Sequence, residues 1–167
     1  MRQTNLTVHM SIQEQNEVVI IEKVESPYTP KVENWVGKRM GIHCTAAGKA
    51  LMSDWHEDDI NRLINHGLPR YNENTIVSPK KLREELLTVR NQGYSLDLEE
   101  ETIGSRCIGA PIKNGMGLII AAVSIAGYKQ QIHNETLNQL VARVKKTASG
   151  ISTSLINEIE ISDFENR

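Results

Sequence analysis

The chain has 167 residues, of which 39% are hydrophobic and 24% charged, the ordinary balance of a single soluble globular domain. Its formal net charge of -2 argues against unaided nucleic-acid binding, which needs a clustered basic excess. The sequence contains no apolar run as long as the roughly 18 residues of a membrane span, and its first residues lack the apolar core of a signal peptide. Because two cysteines are too few for a disulfide framework, we expect a cytoplasmic protein with reduced thiols.

The N-terminal part of the sequence predicts strands. Polar and apolar residues alternate across residues 6–12, a pattern typical of a half-buried strand. After a turn at residues 14–17, the segment VVIIEKV is rich in β-branched residues and predicts a second strand. Tandem prolines in residues 26–30 should end it, and KVENWV (residues 31–36) is expected to form a short third strand.

Three helices are predicted in the middle of the chain. CTAAGKALM (residues 44–52) has high helix propensity from its alanines, with Thr45 as N-cap. HEDDINRLINHG (residues 56–67) has acidic residues in its first turn, an apolar stripe and a final glycine. SPKKLREELLTVRNQG (residues 78–93) is the clearest of the three, with a serine cap, a proline in the first turn and a glycine at its end.

The C-terminal part predicts a hairpin between a strand and a long helix. YSLDLE (residues 94–99) alternates as a strand does, and the segments at 102–112 and 118–128 flank Asn114-Gly115, a strong hairpin signal. From an Asn134 cap, apolar residues then recur at alternating spacings of four and three as Leu137, Val141, Val144, Ala148, Ile151 and Leu155. This seam should pack on a sheet or on a partner. We expect one α+β domain over residues 1–167, with a mostly antiparallel sheet flanked by helices.

The segment GIHCTAAGKALM, residues 41–52, holds several residue types with chemical potential. A phosphate-binding P-loop needs four residues between its glycines and a hydroxyl after its lysine, but six residues separate the glycines here and Ala50 follows Lys49. His43 and Cys44 are adjacent in sequence, and adjacent residues rarely converge on one metal ion. Neither residue has a C-x-x-C or H-x-x-x-H partner, so we expect no metal, no cofactor and no catalytic residue.

A different chemistry remains open for the same segment. A helix that begins near Thr45 offers unpaired backbone N–H groups that attract a carboxylate or phosphate, and Ala46 and Ala47 let a ligand approach that backbone. One face of the hairpin is small and mildly polar, with Ser105, Cys107 and Gly109 on the first strand and Ala122, Ser124 and Ala126 on the second, whereas the other face is aliphatic. Such a surface leaves volume for a ligand. The alternative is that the helix simply docks closely on small residues.

Several motifs together resemble the effector-binding domain of IclR-type bacterial transcriptional regulators. They are T-A-A-G-K-A at residues 45–50, the Thr75, Ser78, Leu82 spacing, G-Y-S-x-D-x-E-E at 93–100, R-C-I-x-A-P at 106–111 and A-A-x-S-I-x-G at 121–127. The resemblance runs from about Leu6 to about Ser154. It implies a GAF-like, profilin-like domain whose usual winged helix-turn-helix partner domain is absent from this chain.

The resemblance also implies a pocket for a small organic acid, a homodimer or homotetramer, and contact with DNA only through the missing domain. It places effector-binding positions at Thr45, Ala46, Ala47, Asp97, Ser105, Cys107, Ser124 and Ala126, the last standing where many relatives carry a second serine. Because Asp97 is itself acidic, we expect it to bind ligand hydroxyls or to orient a neighbouring group. The alternative for Asp97 is a solvated acid at a strand end.

Three functions are therefore considered for this chain. The first is a ligand sensor, which switches the DNA-binding competence of an attached domain by shifting a population of conformations or assemblies. The second is a thiol-dependent enzyme that uses Cys107 or Cys44 as nucleophile. The third is a ligand-free oligomerisation module.

Overall fold

The computed structural model describes residues 5–26 and 34–165. Within these ranges the strands are β1 (Thr7–Glu14), β2 (Glu17–Val24), β3 (Arg39–Gly41), β4 (Ser95–Leu98), β5 (Ser105–Lys113) and β6 (Ile119–Tyr128). They form one sheet in the order β3-β2-β1-β6-β5-β4, and every neighbouring pair is antiparallel. The expected antiparallel sheet is therefore confirmed.

The helices are α1 (Ala46–Leu51), α2 (Glu57–His66), α3 (Pro79–Gln92) and α4 (Asn134–Glu165), with a short 3-10 turn after α1. The predicted caps of the first and third helices are present. The Thr45 hydroxyl accepts from the Gly48 N–H at 3.2 Å, and the Ser78 hydroxyl accepts from the Lys81 N–H at 3.4 Å. Gly93 ends α3 in the left-handed region at φ 75°. No helix that the structure describes is both long and apolar enough to cross a membrane.

The third strand does not lie where the sequence indicated. Residues 34–36 form no strand, and β3 instead occupies Arg39–Gly41, where it pairs with the start of β2. Residues 27–33, which include both prolines and the first half of the expected strand, lie outside the described residues. The β-propensity of Val36 was a weak guide because β propensity depends on the strand that is available for pairing.

Each face of the sheet is covered by a different helix. The apolar seam of α4 packs on β5 and β6, where Leu140, Val144 and Ala148 join Ile108 and Val123 in a buried cluster. The seam is therefore occupied by the chain's own sheet. On the opposite face α1 contacts β4, β5 and β6, and a second apolar cluster joins α1 to α2 and α3.

The strand β1 is buried in the opposite sense to its hydrophobic pattern. Its polar residues Thr7, His9 and Ser11 are buried, whereas the apolar residues between them are only half-buried against the α4 side. A half-buried strand usually presents its apolar face to the interior. The polar face of β1 is covered because it lies on the side of the sheet that α1 occupies.

Two glycines let α1 make close backbone contacts, Gly48 with the turn that precedes the helix and Gly109 with strand β5. A Cβ on Gly48 would lie 2.0 Å from the Ile42 carbonyl oxygen, and a Cβ on Gly109 would lie 2.6 Å from the Ala46 carbonyl oxygen. The Ser95 hydroxyl of β4 donates to that same Ala46 carbonyl at 2.5 Å. The first turn of α1 is therefore fixed directly on β4 and β5, and this contact positions the site below.

Candidate functional site

The pairing register of the sheet brings distant polar residues into rows on the α1 side. One row across β1, β6, β5 and β4 consists of Thr7, Ala126, Cys107 and Asp97, and the next consists of His9, Ser124, Gly109 and Ser95. Side chains that are directly opposite on neighbouring strands point to the same face. Small and polar side chains thus form a continuous surface beneath the start of α1.

A cavity of about 330 Å³ lies between this surface and the first turn of α1. The predicted positions that line it are Thr45, Ala46, Ala47, Asp97, Ser105, Cys107 and Ser124. Ala126 is the predicted position that does not line the cavity, although it is buried in the row between Thr7 and Cys107.

Sequence reasoning missed much of the remaining lining. His9 and Ser11 of β1 contribute to the floor, and the rim is formed by residues from three other segments: Asn34, Lys38 and Met40; Glu101, Thr102 and Ile103; and Gly127 and Tyr128. Apart from Gly127, which ends the A-A-x-S-I-x-G motif, the rim residues lie in loops or near strand ends, where no sequence pattern marks them. The β1 residues did carry a signal, since a histidine and a serine two residues apart in a strand must share a face.

Asp97 is buried in the cavity wall, with a side chain that is only 3% exposed. Burial raises the pKa of Asp97 to about 7, and the negative charge of Glu100 adds to the effect, while the hydrogen bond from the Glu100 N–H (2.8 Å) and the charge of Lys49 oppose it. Asp97 is therefore not a solvated acid. Near neutral pH a large fraction of Asp97 is protonated and can donate a hydrogen bond to a ligand.

A buried ion pair between Lys49 and Glu100 holds the residue that binds Asp97. Lys49 is 1% exposed, and its ammonium group donates to Glu100 at 2.5 Å and to Glu85 at 2.9 Å. The Thr75 hydroxyl donates to the Glu100 carbonyl at 2.8 Å. These contacts fix Glu100, whose N–H binds Asp97. The lysine of the T-A-A-G-K-A motif therefore has a structural role in this chain, as does the threonine at position 75.

The thiols are in environments that disfavour nucleophilic chemistry. Burial, followed by the charge of Asp97, raises the pKa of Cys44 and of Cys107 above the ordinary value of a thiol. A thiol with a raised pKa stays protonated, whereas a nucleophilic cysteine needs a lowered pKa. His43 is bound at Nε2 to the Pro69 carbonyl at 3.0 Å. In the part of the chain that the structure describes, no three His, Cys, Asp or Glu side chains are grouped to hold a metal ion.

The raised pKa of Asp97 predicts a pH-dependent effect of Asp97→Asn. Between about pH 4 and pH 7 the folded state holds the Asp97 proton and the unfolded state has lost it, so this group makes the native protein less stable as pH rises. The variant lacks that slope. Its free energy of unfolding should therefore improve relative to the parent protein by up to about 1.4 kcal/mol per pH unit across this window.

Urea unfolding of both proteins at several pH values measures this difference. The contribution of His9 occurs in both proteins and largely cancels when the two are subtracted, whereas Glu100 contacts Asp97 and its own titration belongs to the measured difference. A stability difference that stays constant between about pH 4 and pH 8 would contradict the raised pKa.

Comparison with known proteins identifies the family. The family described as bacterial transcriptional regulator IclR C-terminal matches residues 1–153. The transcriptional repressor IclR of Escherichia coli (strain K12) is 32% identical over 155 residues, which cover 91% of this chain and 57% of that protein. The chain therefore spans little more than half the length of this curated relative.

Solved structures agree with this similarity. Thermotoga maritima IclR has a TM-score of 0.87 and 31% identity, with coverage of 93% of this chain and 63% of that one. A double mutant of the PobR inducer-binding domain from Acinetobacter, in complex with 3-hydroxybenzoic acid, has a TM-score of 0.80 and 27% identity, with coverage of 89% and 88%. The expected α+β fold with a long C-terminal helix is confirmed. These relatives are transcription factors rather than enzymes, and the chain belongs to the IclR family of bacterial transcriptional regulators, whose C-terminal domain it matches.

Proposed function

We propose that this chain is the ligand-sensing domain of a bacterial transcriptional regulator and that its cavity binds a small organic acid. The observation that carries the proposal is the 330 Å³ space beside the first turn of α1, whose sheet side is formed by polar or small side chains. A surface built only for packing would fill that space with large aliphatic side chains. A cavity with convergent polar groups is typical of a site for a small ligand.

The acid group of the ligand has two candidate anchors. The Thr45 hydroxyl accepts a hydrogen bond from the Gly48 N–H. The N–H groups of Ala46 and Ala47 have no acceptor within the helix, because the first N–H groups of a helix precede its hydrogen-bonding ladder, and they can donate to an acid group. The second anchor is Lys38 at the rim, whose ammonium group donates to Asn34 Oδ1 at 2.7 Å. Protonated Asp97 would add a further donor.

The PobR complex supports this assignment by analogy. That inducer-binding domain covers nearly the same part of the fold and binds a small carboxylic acid, 3-hydroxybenzoic acid. The analogy supports the chemical class of the ligand, a small acid. Which acid binds has to be inferred from the residues that line the cavity of this chain.

Regulation would pass from the cavity to a DNA-binding domain outside this chain. Residues 1–167 would act as one effector-binding domain of a cytoplasmic homodimer or homotetramer, and DNA would be bound only by the N-terminal winged helix-turn-helix domain. An effector that binds one conformation or assembly more tightly than another shifts the population towards it. Because the α4 seam is occupied by the sheet, the subunit contact would use another surface.

Replacement of Ala47 by leucine tests the ligand site. Ala47 is 4% exposed and lines the cavity, so a leucine side chain would fill the space that a ligand needs. An organic acid found by a thermal-shift screen should bind this variant at least about tenfold more weakly in calorimetric titration, equivalent to 1.4 kcal/mol. Leucine has high helix propensity, so the helix itself should persist.

Ala148→Leu is the matched control, because Ala148 is a helical alanine with 3% exposure on the opposite side of the sheet. It should lower the melting temperature by overpacking and leave the affinity of the folded protein unchanged. Equal affinities in the parent, Ala47→Leu and Ala148→Leu proteins would place the ligand elsewhere. If no acid in the screen bound the parent protein, the ligand-free oligomerisation module would be favoured.

A further inference from the structure

Two buried polar groups in the cavity floor lack a hydrogen-bond partner. His9 is 3% exposed and Ser11 is 1% exposed, and both line the cavity. In the described part of the chain, neither His9 Nε2 nor Ser11 Oγ has a hydrogen-bond partner. Buried polar atoms are nearly always paired in folded proteins, because an unpaired one loses its hydration without compensation. These two atoms therefore indicate a ligand group that pairs with them.

The chemistry of the two groups favours a hydroxyl as that partner. Burial, and then the charges of Lys23 and Lys38, lower the pKa of His9 to about 4, so its ring is neutral at physiological pH. A neutral imidazole carries one N–H and one bare nitrogen, and Ser11 can both donate and accept. A hydroxyl can donate or accept at the same oxygen, so it satisfies Nε2 in either tautomer, whereas a carboxylate can only accept.

The position of the pair extends the site predicted from the sequence. His9 lies directly opposite Ser124 in the β1–β6 register, so a third hydroxyl-bearing or nitrogen-bearing side chain lies beside the pair on the same face. His9 and Ser11 are two residues apart in β1, a separation of about 7 Å along a strand. Groups at that spacing suit a ligand with hydroxyls on more than one carbon. Among the lining residues that the structure describes, Tyr128 alone offers a benzene ring to an aromatic ligand.

We propose that β1 supplies a hydroxyl-binding subsite, formed by His9 Nε2 and Ser11 Oγ, and that the effector is a polyhydroxylated acid of the sugar-acid class. The inference rests on the proposed function, since it requires that the cavity be the effector site. Within that site, Lys38 at the rim binds the acid group and β1 binds the hydroxyls. With its acid group bound at the rim, an aromatic acid or an unsubstituted aliphatic acid has no hydroxyl left to pair with the two β1 groups.

Matched acids test the ligand class. Calorimetric titration of the parent chain with gluconate and glucuronate, beside hexanoate and benzoate, compares acids of one charge with and without hydroxyls. The hydroxylated acids should bind at least about tenfold more tightly. If hexanoate or benzoate binds as tightly as the best sugar acid, the subsite proposal is wrong while the proposed function stands. If none of the four acids binds, the subsite proposal is wrong, and the proposed function is decided by the wider thermal-shift screen of organic acids.

Substitutions in β1 test the residues. Ser11→Ala and His9→Phe should each weaken the best sugar acid by about tenfold and leave hexanoate binding unchanged, because only hydroxyl contacts are lost. Ser11 Oγ has no hydrogen-bond partner to lose, so the melting temperature of Ser11→Ala without ligand should be unchanged or higher. Ser11→Ala carries the test if the larger phenylalanine ring disturbs folding.

Ser53→Ala is the matched control for Ser11→Ala. Ser53 is a buried serine outside the cavity, and its hydroxyl donates to the Ala50 carbonyl at 2.8 Å. Its loss should lower the melting temperature and leave sugar-acid affinity unchanged, the reverse of the result expected for Ser11→Ala. If Ser11→Ala keeps the full preference for sugar acids over hexanoate, β1 is not the hydroxyl-binding subsite.

Discussion

Replacement of Lys49 by methionine should lower the free energy of unfolding by about 3–5 kcal/mol, the cost of leaving a buried charge without its partner. Methionine matches the length of lysine, so little volume changes. Glu100 would lose its cationic partner: it is a buried carboxylate, 5% exposed, that accepts a hydrogen bond from the Lys49 ammonium group at 2.5 Å. Glu85 also loses a partner, but its side chain is 28% exposed and water can replace part of the contact.

The Lys49→Met effect should depend on pH in a defined direction. Burial already raises the pKa of Glu100, and Lys49 opposes that rise, so the pKa of Glu100 should increase further in the variant. A protonated Glu100 needs no cation. The destabilisation measured by urea unfolding should therefore be smaller near pH 5 than near pH 8.

Lys80→Met is the control for the loss of a lysine in an ion pair. Lys80 lies 3.9 Å from Glu84 on the surface of α3, with side chains that are 86% and 63% exposed. Its removal should change the free energy of unfolding by less than about 1 kcal/mol. If the two substitutions changed the free energy of unfolding by similar amounts, Lys49 would not be a buried partner that holds Glu100 against Asp97.

Replacement of Gly48 by alanine should cost at least about 3 kcal/mol, at the upper end of overpacking penalties. The added Cβ would lie 2.0 Å from the Ile42 carbonyl oxygen and 2.7 Å from the Ile42 Cα. These are backbone atoms that cannot rotate aside, so α1 itself must move. Because Ala46 and Ala47 open the same helix, the displacement should also weaken ligand binding in the folded fraction.

Gly150→Ala provides a control with the same chemistry and the opposite sign. Gly150 lies in α4, and an added Cβ there meets nothing within 4 Å. Alanine in place of a helical glycine should stabilise the protein by about 0.5–1 kcal/mol. Melting curves of the two variants beside the parent protein measure both effects. A Gly48→Ala protein as stable as the parent would mean that α1 does not lie in backbone contact with the Ile42 segment.

Local chemistry made much of the fold predictable from the sequence. Thr45 and Ser78 cap helices because their hydroxyls accept N–H groups within three residues. The predicted hairpin is present, although its loop covers residues 114–118, with Gly117 in the left-handed region and the Asn114 side chain accepting from the N–H groups of Met116 and Leu118. The site residues on β5 and β6 followed from the same rule, since strand alternation fixes which side chains share a face. The family resemblance added Asp97, which no local pattern could assign to the cavity.

The sequence by itself determined most of the elements, the caps at Thr45 and Ser78 and the small, polar face of the hairpin, because each depends on residues a few positions apart. Only the tertiary structure decided which face of β1 is buried, since that depends on the register of β1 against β6 and on the placement of α1 above it. It also decided the role of Lys49, whose partner Glu100 lies 51 residues away. Both outcomes require long-range pairing, and both determine the chemistry of the cavity.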